Sequence, residues 1–495
     1  MQSPARAREC QGSKNDFVGY KGDIAARKMR NGAPRRCYDG RVLHYCSLFL
    51  GFYSRRVDTA LMAIAAPNTS TTATAPGNEQ SYGAPLATVT TLFFMWGFLT
   101  CLNDILVPHL KSIFDLGYAE VMLIQFAFFG AYFIFSIPSA KIIDWIGYQR
   151  SMVLGLLTMG LGAFLFVPAA SVPSFPLFLG ALIVLAAGIT CLQVAANPYV
   201  TVLGKPQTAS SRLNLTQAFN SLGTFLAPFF GGLLILSAAP KTMEEIRAMA
   251  PDVLQAYRLH EAATVKTPYV GLGIALVVLA VAIGSFKLPK IEHAQHKVGE
   301  KVDDSIWRHP NLIFGAIAIF VYVGGEVAIG SFLVNYFGQP EIGGLTEKVA
   351  ASFVAFYWGG AMVGRFIGSA LLQKMSTRSL LGICAVCAAA LVAISMLTTG
   401  HTAMYSIILV GFFNSIMFPS IFTLGVAELG PLTGDGSGVM IMAIVGGAII
   451  PVAQGAIADR IGIHHAFFLP VLCYLYILYF ALSGSKPNSQ RYAKA

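Results

Sequence analysis

Long apolar segments recur along this chain and constrain its fold more than any other feature. From about residue 86 to residue 483, the segments approach or exceed the ~20 residues that a helix needs to cross ~30 Å of hydrocarbon. Only 12% of the residues are charged, about half of the fraction that is typical of a soluble domain. A β-barrel would show alternating segments of ~10 residues, and this pattern does not occur. We therefore predict an all-α membrane protein.

Twelve transmembrane helices are predicted, in two groups of six. The spans are 86–110, 119–143, 151–170, 175–203, 211–237, 268–287, 310–337, 349–373, 379–398, 402–425, 436–458 and 463–483. We expect a polar N-terminal tail at residues 1–85 and a first six-helix bundle at 86–287. A linker at 288–309 leads to a second six-helix bundle at 310–483, and a C-terminal tail follows at 484–495.

The basic charge of the chain is concentrated in the N-terminal tail. Residues 1–61 hold 12 Lys and Arg against 5 Asp and Glu, and the rest of the chain holds 22 against 19. The charge is therefore no evidence for nucleic-acid binding. Met62 opens a more typical start, "MAIAAPNTS", so residues 1–61 are interpreted as an over-extension of the reading frame. Lys and Arg in the loops favour an orientation with both termini in the cytoplasm.

Three sequence patterns occur in both halves in the same order. Gly130-Ala131 followed by Ser139-Ala140 is repeated as Gly360-Ala361 followed by Ser369-Ala370. Pro198 with Leu203-Gly204 is repeated as Pro419 with Leu424-Gly425, and Gly223 with Pro228 as Gly446 with Pro451. The matches fall on spans 2 and 8, 4 and 10, and 5 and 11. They predict a 6+6 pseudo-symmetric duplication, as in transporters whose site lies between two halves.

Polar side chains occur at helical spacing inside several of these apolar spans. They combine amides and hydroxyls with an aromatic side chain, which suits a polyhydroxylated ligand such as a sugar. The alternative is that they hydrogen-bond neighbouring helices together. The candidate ligand-binding residues are Trp96, Asn103, Gln193, Asn197, Gln217 and Asn220.

Two carboxylates lie inside spans, Asp104 in the first and Glu326 in the seventh. An ionisable group in a membrane span is costly, and by default it indicates a function. No cation is obviously paired with either acid in the sequence. Burial disfavours the charged form, so each could take up and release a proton as its exposure changes. We predict that Asp104 and Glu326 couple transport to protons.

The segment "SAKIIDWIGYQR" follows the second span. It resembles the loop motif G-x-x-x-D-x-x-G-x-[RK] of the major facilitator superfamily, with Asp144, Gly147 and Arg150 at the matching positions and Ser139 or Ala140 where Gly is usual. The resemblance implies a charged latch at the cytoplasmic ends of helices. Plain anchoring by positive charge is the alternative.

Longer stretches resemble the fucose/proton symporter family, and the glucose/galactose transporter branch of it above all. These stretches are "FFMWGFLTCLNDILVPHLK", "LIQFAFFGAYF", "LQVAANPYVTVLG", "SSRLNLTQAFNSLGT" and "GGAIIPVAQGAIAD", and the resemblance covers about 86–483. It implies that Asp104 responds to protons and that Asn103, Gln125, Gln217 and Asn220 lie on or near sugar-facing positions. It also implies a bacterial inner-membrane location.

One departure from the fucose members concerns acidic residues. Those members carry a Glu in the motif "ETAANP", where this chain has Gln193, whereas Glu326 stands where they have an amide. The resemblance therefore favours glucose or galactose over fucose.

The function that we predict is proton-coupled import of a hexose by alternating access. The alternatives are a proton-independent facilitator or exporter of another polar solute, and a sugar sensor that has lost transport. We expect a monomer in lipid, with no enzymatic activity, no cofactor and no metal. The pair Cys384 and Cys387 lies in an apolar run with no second pair or nearby His, and no nucleotide-binding loop occurs.

Overall fold

The computed structural model describes residues 82–114, 118–172, 174–234, 266–289 and 304–487, with residue 291 and a few residues between 249 and 259. Within helices, the side chains of 99–100, 102–114, 118–122 and 228–234 fall outside the described part. The predicted tail start at residue 62 and most of the linker 288–309 also lie outside it. The described residues form helices joined by short turns, with no strand among them.

The helices follow the predicted spans closely. We number them α1 to α12: Gly83–Phe114 (α1), 118–146 (α2) and 148–171 (α3) within the continuous segment Tyr118–Ser171, Phe175–Val202 (α4), Ala209–Leu234 (α5), Lys266–Ser285 (α6), Pro310–Gly338 (α7), Glu347–Leu371 (α8), Thr377–Leu397 (α9), Gly400–Asn414 with Met417–Gly425 (α10), Thr433–Met442 with Gly446–Ile461 (α11), and Phe468–Tyr479 (α12).

The helical segments are interrupted at three places. Gly147 separates α2 from α3 with a φ of 81°, a left-handed conformation that glycine adopts without strain. Helix α10 is interrupted between Asn414 and Met417, ahead of Pro419, which cannot donate a backbone hydrogen bond. A short 3₁₀ turn, Ala443–Val445, interrupts α11. The predicted spans 402–425 and 436–458 run across the interruptions of α10 and α11 and anticipated neither, whereas the separate spans 119–143 and 151–170 anticipated the one at Gly147.

Nine segments of the described residues are long and apolar enough to cross a membrane. One of them, Leu123–Ser171, is 49 residues long and contains both α2 and α3. Helices α1 and α5 complete the twelve, each with part of its side chains outside the described residues. The predicted all-α membrane fold with twelve helices is confirmed.

The predicted duplication is visible in how the helices cross. A Cβ on Gly223 of α5 would collide with the carbonyl oxygen of Phe94 on α1. A Cβ on Gly446 of α11 would collide in the same way with the carbonyl oxygen of Phe320 on α7. Glycine at these two positions lets the backbones touch, which is the usual way to pack membrane helices tightly. We call these two contacts the glycine crossings.

Contacts between the two sets of six helices are concentrated at one end of the bundle. This end carries the turn at Gly147 between α2 and α3 and the loops 203–208 and 372–376, and we call it the basic end. There α5 packs against α8 and α10, and α11 packs against α2 and α4. Ser211 on α5 donates a hydrogen bond to the carbonyl oxygen of Ser369 on α8 at 2.7 Å, and Ser210 donates to Thr423 on α10 at 2.9 Å.

Candidate functional site

The candidate ligand-binding residues of the first six helices lie on α1, α2, α4 and α5. Trp96 is 8% exposed, and its ring centroid is 5.3 Å from that of Phe93. Gln125 on α2 is partly buried. Asn103 and Asp104 belong to α1, but their side chains lie outside the described residues, so their predicted roles stay predictions.

Gln193 on α4 is fully buried and forms a pair with a tyrosine on α2. Its amide nitrogen donates to the Tyr132 hydroxyl at 2.7 Å, and its side-chain oxygen has no hydrogen-bond partner. A buried polar atom without a partner costs free energy, on the order of 1–3 kcal/mol. The free oxygen is therefore suited to accept a hydrogen bond from a ligand hydroxyl.

Asn197 lies one turn further along α4 and is completely buried. Neither its amide nitrogen nor its amide oxygen has a partner. Gln217 on α5, which is 4% exposed, likewise has an amide nitrogen without a partner. These two side chains are not bonding neighbouring helices through those atoms, so the structure gives no support to a role as helix glue for Asn197.

Asn220 behaves differently from Asn197. Its amide nitrogen donates to the carbonyl oxygen of Phe93 at 2.9 Å, and Thr224 one turn on donates to the carbonyl oxygen of Gly97 at 3.2 Å. Both bonds run from α5 to α1 beside the glycine crossing. Asn220 therefore holds these helices together, whatever else it binds.

The second six helices contain a matching amide–tyrosine pair that the sequence analysis missed. Asn414 on α10 donates to the Tyr357 hydroxyl of α8 at 2.9 Å, and its amide oxygen is buried without a partner. Asn414 and Gln193 each stand five residues before the proline of the predicted repeat, Pro419 or Pro198. The repeat pattern could have identified Asn414, since it assigns Asn414 to the position of Gln193.

Glu326 on α7 lies beside this second pair. The Tyr322 hydroxyl donates to the Glu326 carboxylate at 2.8 Å and also lies 3.1 Å from the carbonyl oxygen of Asn414. The acid is partly buried, whereas Tyr322 is only 1% exposed. The second half thus contains an acid in a hydrogen-bonded network of tyrosines and an amide.

The two repeat prolines free two backbone carbonyls. In a continuous helix, the carbonyl of residue i accepts from the N–H of residue i+4, and proline has none. The carbonyl oxygen of Val194, four residues before Pro198, accepts instead from Ser437 of α11 at 2.9 Å. The carbonyl oxygen of Ser415, four residues before Pro419, accepts from the Arg365 Nε at 3.2 Å.

Arg365 is the cation that the sequence analysis did not associate with the acids. It lies inside α8, and its Nε donates to the Ser415 carbonyl oxygen, next in the chain to the Asn414 carbonyl that the Tyr322 hydroxyl contacts. Its Nη1 donates to the Ser221 hydroxyl. The same nitrogen lies 3.4 Å from the carbonyl oxygen of Gln217, to which it also donates. The sequence did contain a signal for Arg365, because a charged residue within a membrane span indicates a function, as it does for Asp104 and Glu326.

The sequence analysis expected the motif 139–150 in a loop, but it forms the end of α2 and the start of α3 around Gly147. It lies at the basic end and contacts the second half. Lys141 lies 2.8 Å from Asp435 at the start of α11 and 3.7 Å from Asp144, whose side chain is only 5% exposed. Gly147 provides the left-handed turn, and Arg150 is exposed. These contacts fit the predicted latch, with Lys141 making the direct ion pair to the other half.

A histidine and an aspartate lie within hydrogen-bond distance of each other just before α7. Asp304 is 2.7 Å from the Nε2 of His309. The hydrogen bond from His309, followed by the bond from the Ser305 backbone, holds the pKa of Asp304 below its ordinary value. This pair stabilises the end of the linker and lies outside the membrane spans.

Comparison with known proteins places this arrangement among transporters. Residues 86–450 match the family model described as Major Facilitator Superfamily. A glucose/galactose transporter of Brucella abortus is 52% identical over 425 residues, which are 86% of this chain and 100% of the relative. The L-fucose-proton symporter of Escherichia coli is 37% identical over 412 residues, which are 82% of this chain and 94% of the relative.

Two solved structures support the same fold. A fucose:proton symporter structure from E. coli has a TM-score of 0.76 at 35% identity, covering 82% of this chain and 100% of that chain. A structure described as a Major Facilitator Superfamily transporter in the outward conformation has a TM-score of 0.75 at 34% identity, with the same coverage.

Proposed function

The chain belongs to the Major Facilitator Superfamily, and from this premise we propose that it imports a hexose, glucose or galactose, together with a proton. The observation that carries the proposal is the set of buried amide atoms without partners on α4, α5 and α10, combined with the acid of α7. Sugar hydroxyls both donate and accept, so they can satisfy amide oxygens and amide nitrogens at once.

We place the basic end in the cytoplasm, with both chain termini, because Lys and Arg favour that side. The contacts between the two halves would then close the cytoplasmic side. A transporter closed on that side faces outward, which agrees with the likeness to a structure in the outward conformation. Import requires that these contacts break after the sugar has bound.

Sugar binding is assigned to α1, α2, α4 and α5. Trp96 would stack on the apolar face of the sugar ring, and Asn103, Gln125, Gln193, Asn197, Gln217 and Asn220 would bind its hydroxyls. Asn220 would do so with its amide oxygen, because its nitrogen is already engaged with Phe93.

Proton coupling is assigned to Asp104 and Glu326. In a helix with a rise of ~1.5 Å per residue, Asp104 lies about 9 Å inside the outer end of the predicted span 86–110. Protons from outside could reach it in the outward state. Glu326 lies nearer the middle of its helix, where it could bind sugar or share the proton.

The proposed organisation is that of a monomer with two six-helix bundles, 86–287 and 310–483, and a cytoplasmic linker. The location proposed is a bacterial inner membrane. The multi-pass character itself follows from the confirmed fold.

The test is uptake of labelled glucose, galactose, mannose and fucose into proteoliposomes with an imposed pH gradient. We expect accumulation of glucose or galactose above the outside concentration, abolished by a protonophore. Equilibration that ignores the protonophore would indicate a facilitator, and binding without any flux would indicate a sensor.

A further inference from the structure

A groove runs along the outside of the second bundle, between α9 and α12, and begins at the basic end. Its volume is about 340 Å³. Arg378 and Ser379 lie at its mouth, directly after the loop 372–376, and Cys387 lies at its far end. Since Arg378 and Cys387 are nine positions apart on α9, the groove is about 13 Å long. It therefore extends from the end of a membrane-spanning helix into the apolar part of the span.

The walls of the groove are apolar and face away from the protein. Ile383 of α9 is 48% exposed, and Leu482, just past α12, is 62% exposed. Gly382 is buried and forms the floor, where a Cβ would lie 3.8 Å from the Cβ of Ala481 and 3.8 Å from the Cδ1 of Leu478. The glycine thus leaves a strip open between the two helices, and in a bilayer such a strip meets the acyl chains of lipids.

Arg378 is held at the mouth of the groove by the chain that follows α12. Its Nη2 donates to the carbonyl oxygen of Ser485 at 3.1 Å. Ser485 follows a π-helical turn, Phe480–Gly484, and its own N–H donates to the carbonyl oxygen of Phe480 at 2.8 Å. Such wide turns are rare and often lie at functional sites. A guanidinium has five N–H groups, and those that Ser485 does not use have no partner among the described residues, so they can donate to a ligand.

Positive charge predominates around this mouth. Lys374, in the loop before α9, is exposed, and Lys486 follows Ser485 directly. An acid, Glu428, acts electrostatically on Arg378 and is exposed beyond the end of α10. Three cations against one acid favour an anion, and a guanidinium is well shaped to bind the oxygens of a phosphate. An apolar strip that leads to a phosphate-binding cation suits a phospholipid with a net negative charge.

We propose that this groove binds one anionic phospholipid. Its phosphate accepts hydrogen bonds from the N–H groups of Arg378 that Ser485 does not use, and one of its acyl chains lies over Gly382 between α9 and α12. With the basic end in the cytoplasm, as proposed above, the lipid comes from the inner leaflet. A free phosphate ion would leave the apolar strip uncovered, and a lipid without net charge would leave the positive charge at the mouth uncompensated. The site contains none of the residues assigned to sugar or to protons.

The experiment measures lipid binding to purified full-length protein, delipidated in detergent, by native mass spectrometry. Phosphatidylglycerol and phosphatidylcholine with the same acyl chains are titrated separately. We expect one phosphatidylglycerol to bind about ten-fold more tightly than phosphatidylcholine, because no choline offsets the charge that its phosphate presents to Arg378. R378Q should weaken the binding of phosphatidylglycerol about ten-fold and abolish the preference between the two lipids.

Two substitutions at Gly382 test the part of the groove that receives the acyl chain. G382A adds a Cβ at an ordinary van der Waals distance from α12, so binding of both lipids should be nearly unchanged. G382L fills the floor of the groove. It should weaken the binding of both lipids about ten-fold, because the acyl chain loses its contact with α12.

Cys387 permits a measurement on the unaltered protein. Its free thiol is partly buried at the far end of the groove, where a bound acyl chain would cover it. Phosphatidylglycerol should slow its alkylation by an apolar maleimide several-fold in wild-type protein, as read from the Cys387 peptide, and should do so much less in R378Q at the same lipid concentration. Cys384, a buried free thiol on the same helix that does not line the groove, is the internal reference.

K287Q is the matched control, because Lys287 is an exposed cation just after α6, at the basic end, and does not line the groove. It should bind phosphatidylglycerol like wild type. The proposal is overturned if wild type binds both lipids equally, if K287Q loses as much affinity as R378Q, if G382L binds like wild type, or if phosphatidylglycerol leaves the alkylation of Cys387 unchanged. None of these measurements involves sugar flux, so a negative result here is distinct from a failure of the symport assignment.

Discussion

The two halves of this protein use the same frame but distribute charge differently. In the first half, Gln193 pairs with Tyr132, and the carbonyl freed by Pro198 is bound by the neutral Ser437. In the second half, Asn414 pairs with Tyr357, and the carbonyl freed by Pro419 is bound by the cation Arg365, near Glu326. A duplicated helix arrangement therefore positions an uncharged amide site and a charged one at equivalent points.

This difference suggests a division of labour between the halves. Amides bind hydroxyls at every pH, so in the proposed function the first half binds sugar without regard to protons. In the proposed function, the acid of the second half is the group that takes up and releases a proton. Asp104 on α1 is the exception, since it would bring a proton-responsive group into the first half.

The largest expected effect comes from neutralising one acid at a time. Asp104→Asn should lose pH-driven accumulation but keep exchange, whereas Glu326→Gln should lose both. The electrical gradient alone, at about 2.3 kcal/mol per charge per 100 mV, supports roughly fifty-fold accumulation per proton, and an uncoupled variant loses all of it. Parallel accumulation and exchange assays measure this.

If Asp104→Asn accumulates sugar normally with normal pH dependence, proton coupling belongs to the second half alone. If Glu326→Gln accumulates sugar normally with normal pH dependence, the charge of the second half is not needed for proton coupling.

A second prediction concerns moving the acid between the halves. The double variant Gln193→Glu with Glu326→Gln places the carboxylate where the fucose members of the family have theirs. We expect the ratio of fucose to glucose uptake to rise about ten-fold, because a hydrogen bond to a charged group contributes about 1.5–3 kcal/mol. Competition between labelled sugars measures the ratio, and Gln193→Asn, which keeps the amide, is the control.

A third prediction separates helix packing from sugar binding within the first half. Asn220→Ala should lower thermal stability, since the bond to the Phe93 carbonyl is lost and that typically costs about 1 kcal/mol. Asn197→Ala should leave thermal stability unchanged or raise it, because both amide atoms are buried without partners, while sugar affinity falls. Melting curves and equilibrium binding distinguish the two outcomes; equal losses of stability would contradict the assignment of Asn197 to the site.

The smallest expected effect lies in the linker between the halves. The pKa of Asp304 is lowered by His309, so its contribution to stability is present above the ordinary pKa of an aspartate and is lost as the pH falls through the lowered value. Asp304→Asn should therefore reduce stability slightly at neutral pH and remove a small part of the acid sensitivity. Melting temperature against pH measures this, and a variant more stable than wild type near neutrality would contradict it.

Much of the fold could be predicted from the sequence, because apolar length and small residues act locally. The twelve helices and the equivalence of Gly223 with Gly446 follow from such patterns. The partners of Arg365 could not be predicted, since they lie on α5 and α10, far away in the chain. The bond from Asn220 to Phe93 also depends on how closely α1 and α5 approach each other. The spacing of amide residues along the sequence does not give that distance.

The break in α10 was missed for a related reason. Proline alone does not decide whether a helix bends, as the continuous α4 around Pro198 shows. The freed carbonyls also have different partners, Ser437 for Val194 and Arg365 for Ser415, and each partner comes from another helix. Residues of the candidate site could thus be selected by type, but their division into packing and binding roles needed the three-dimensional contacts.

The glycine crossings have a practical consequence for measuring motion. Helices whose backbones touch at Gly223 and at Gly446 have little room to slide, so α1 with α5, and α7 with α11, form two fixed reference pairs. Spin labels or fluorophores placed on one such pair should report a constant distance throughout the cycle. Labels placed on α5 and α8 should report two distances, and the fixed pairs supply the internal calibration for reading them.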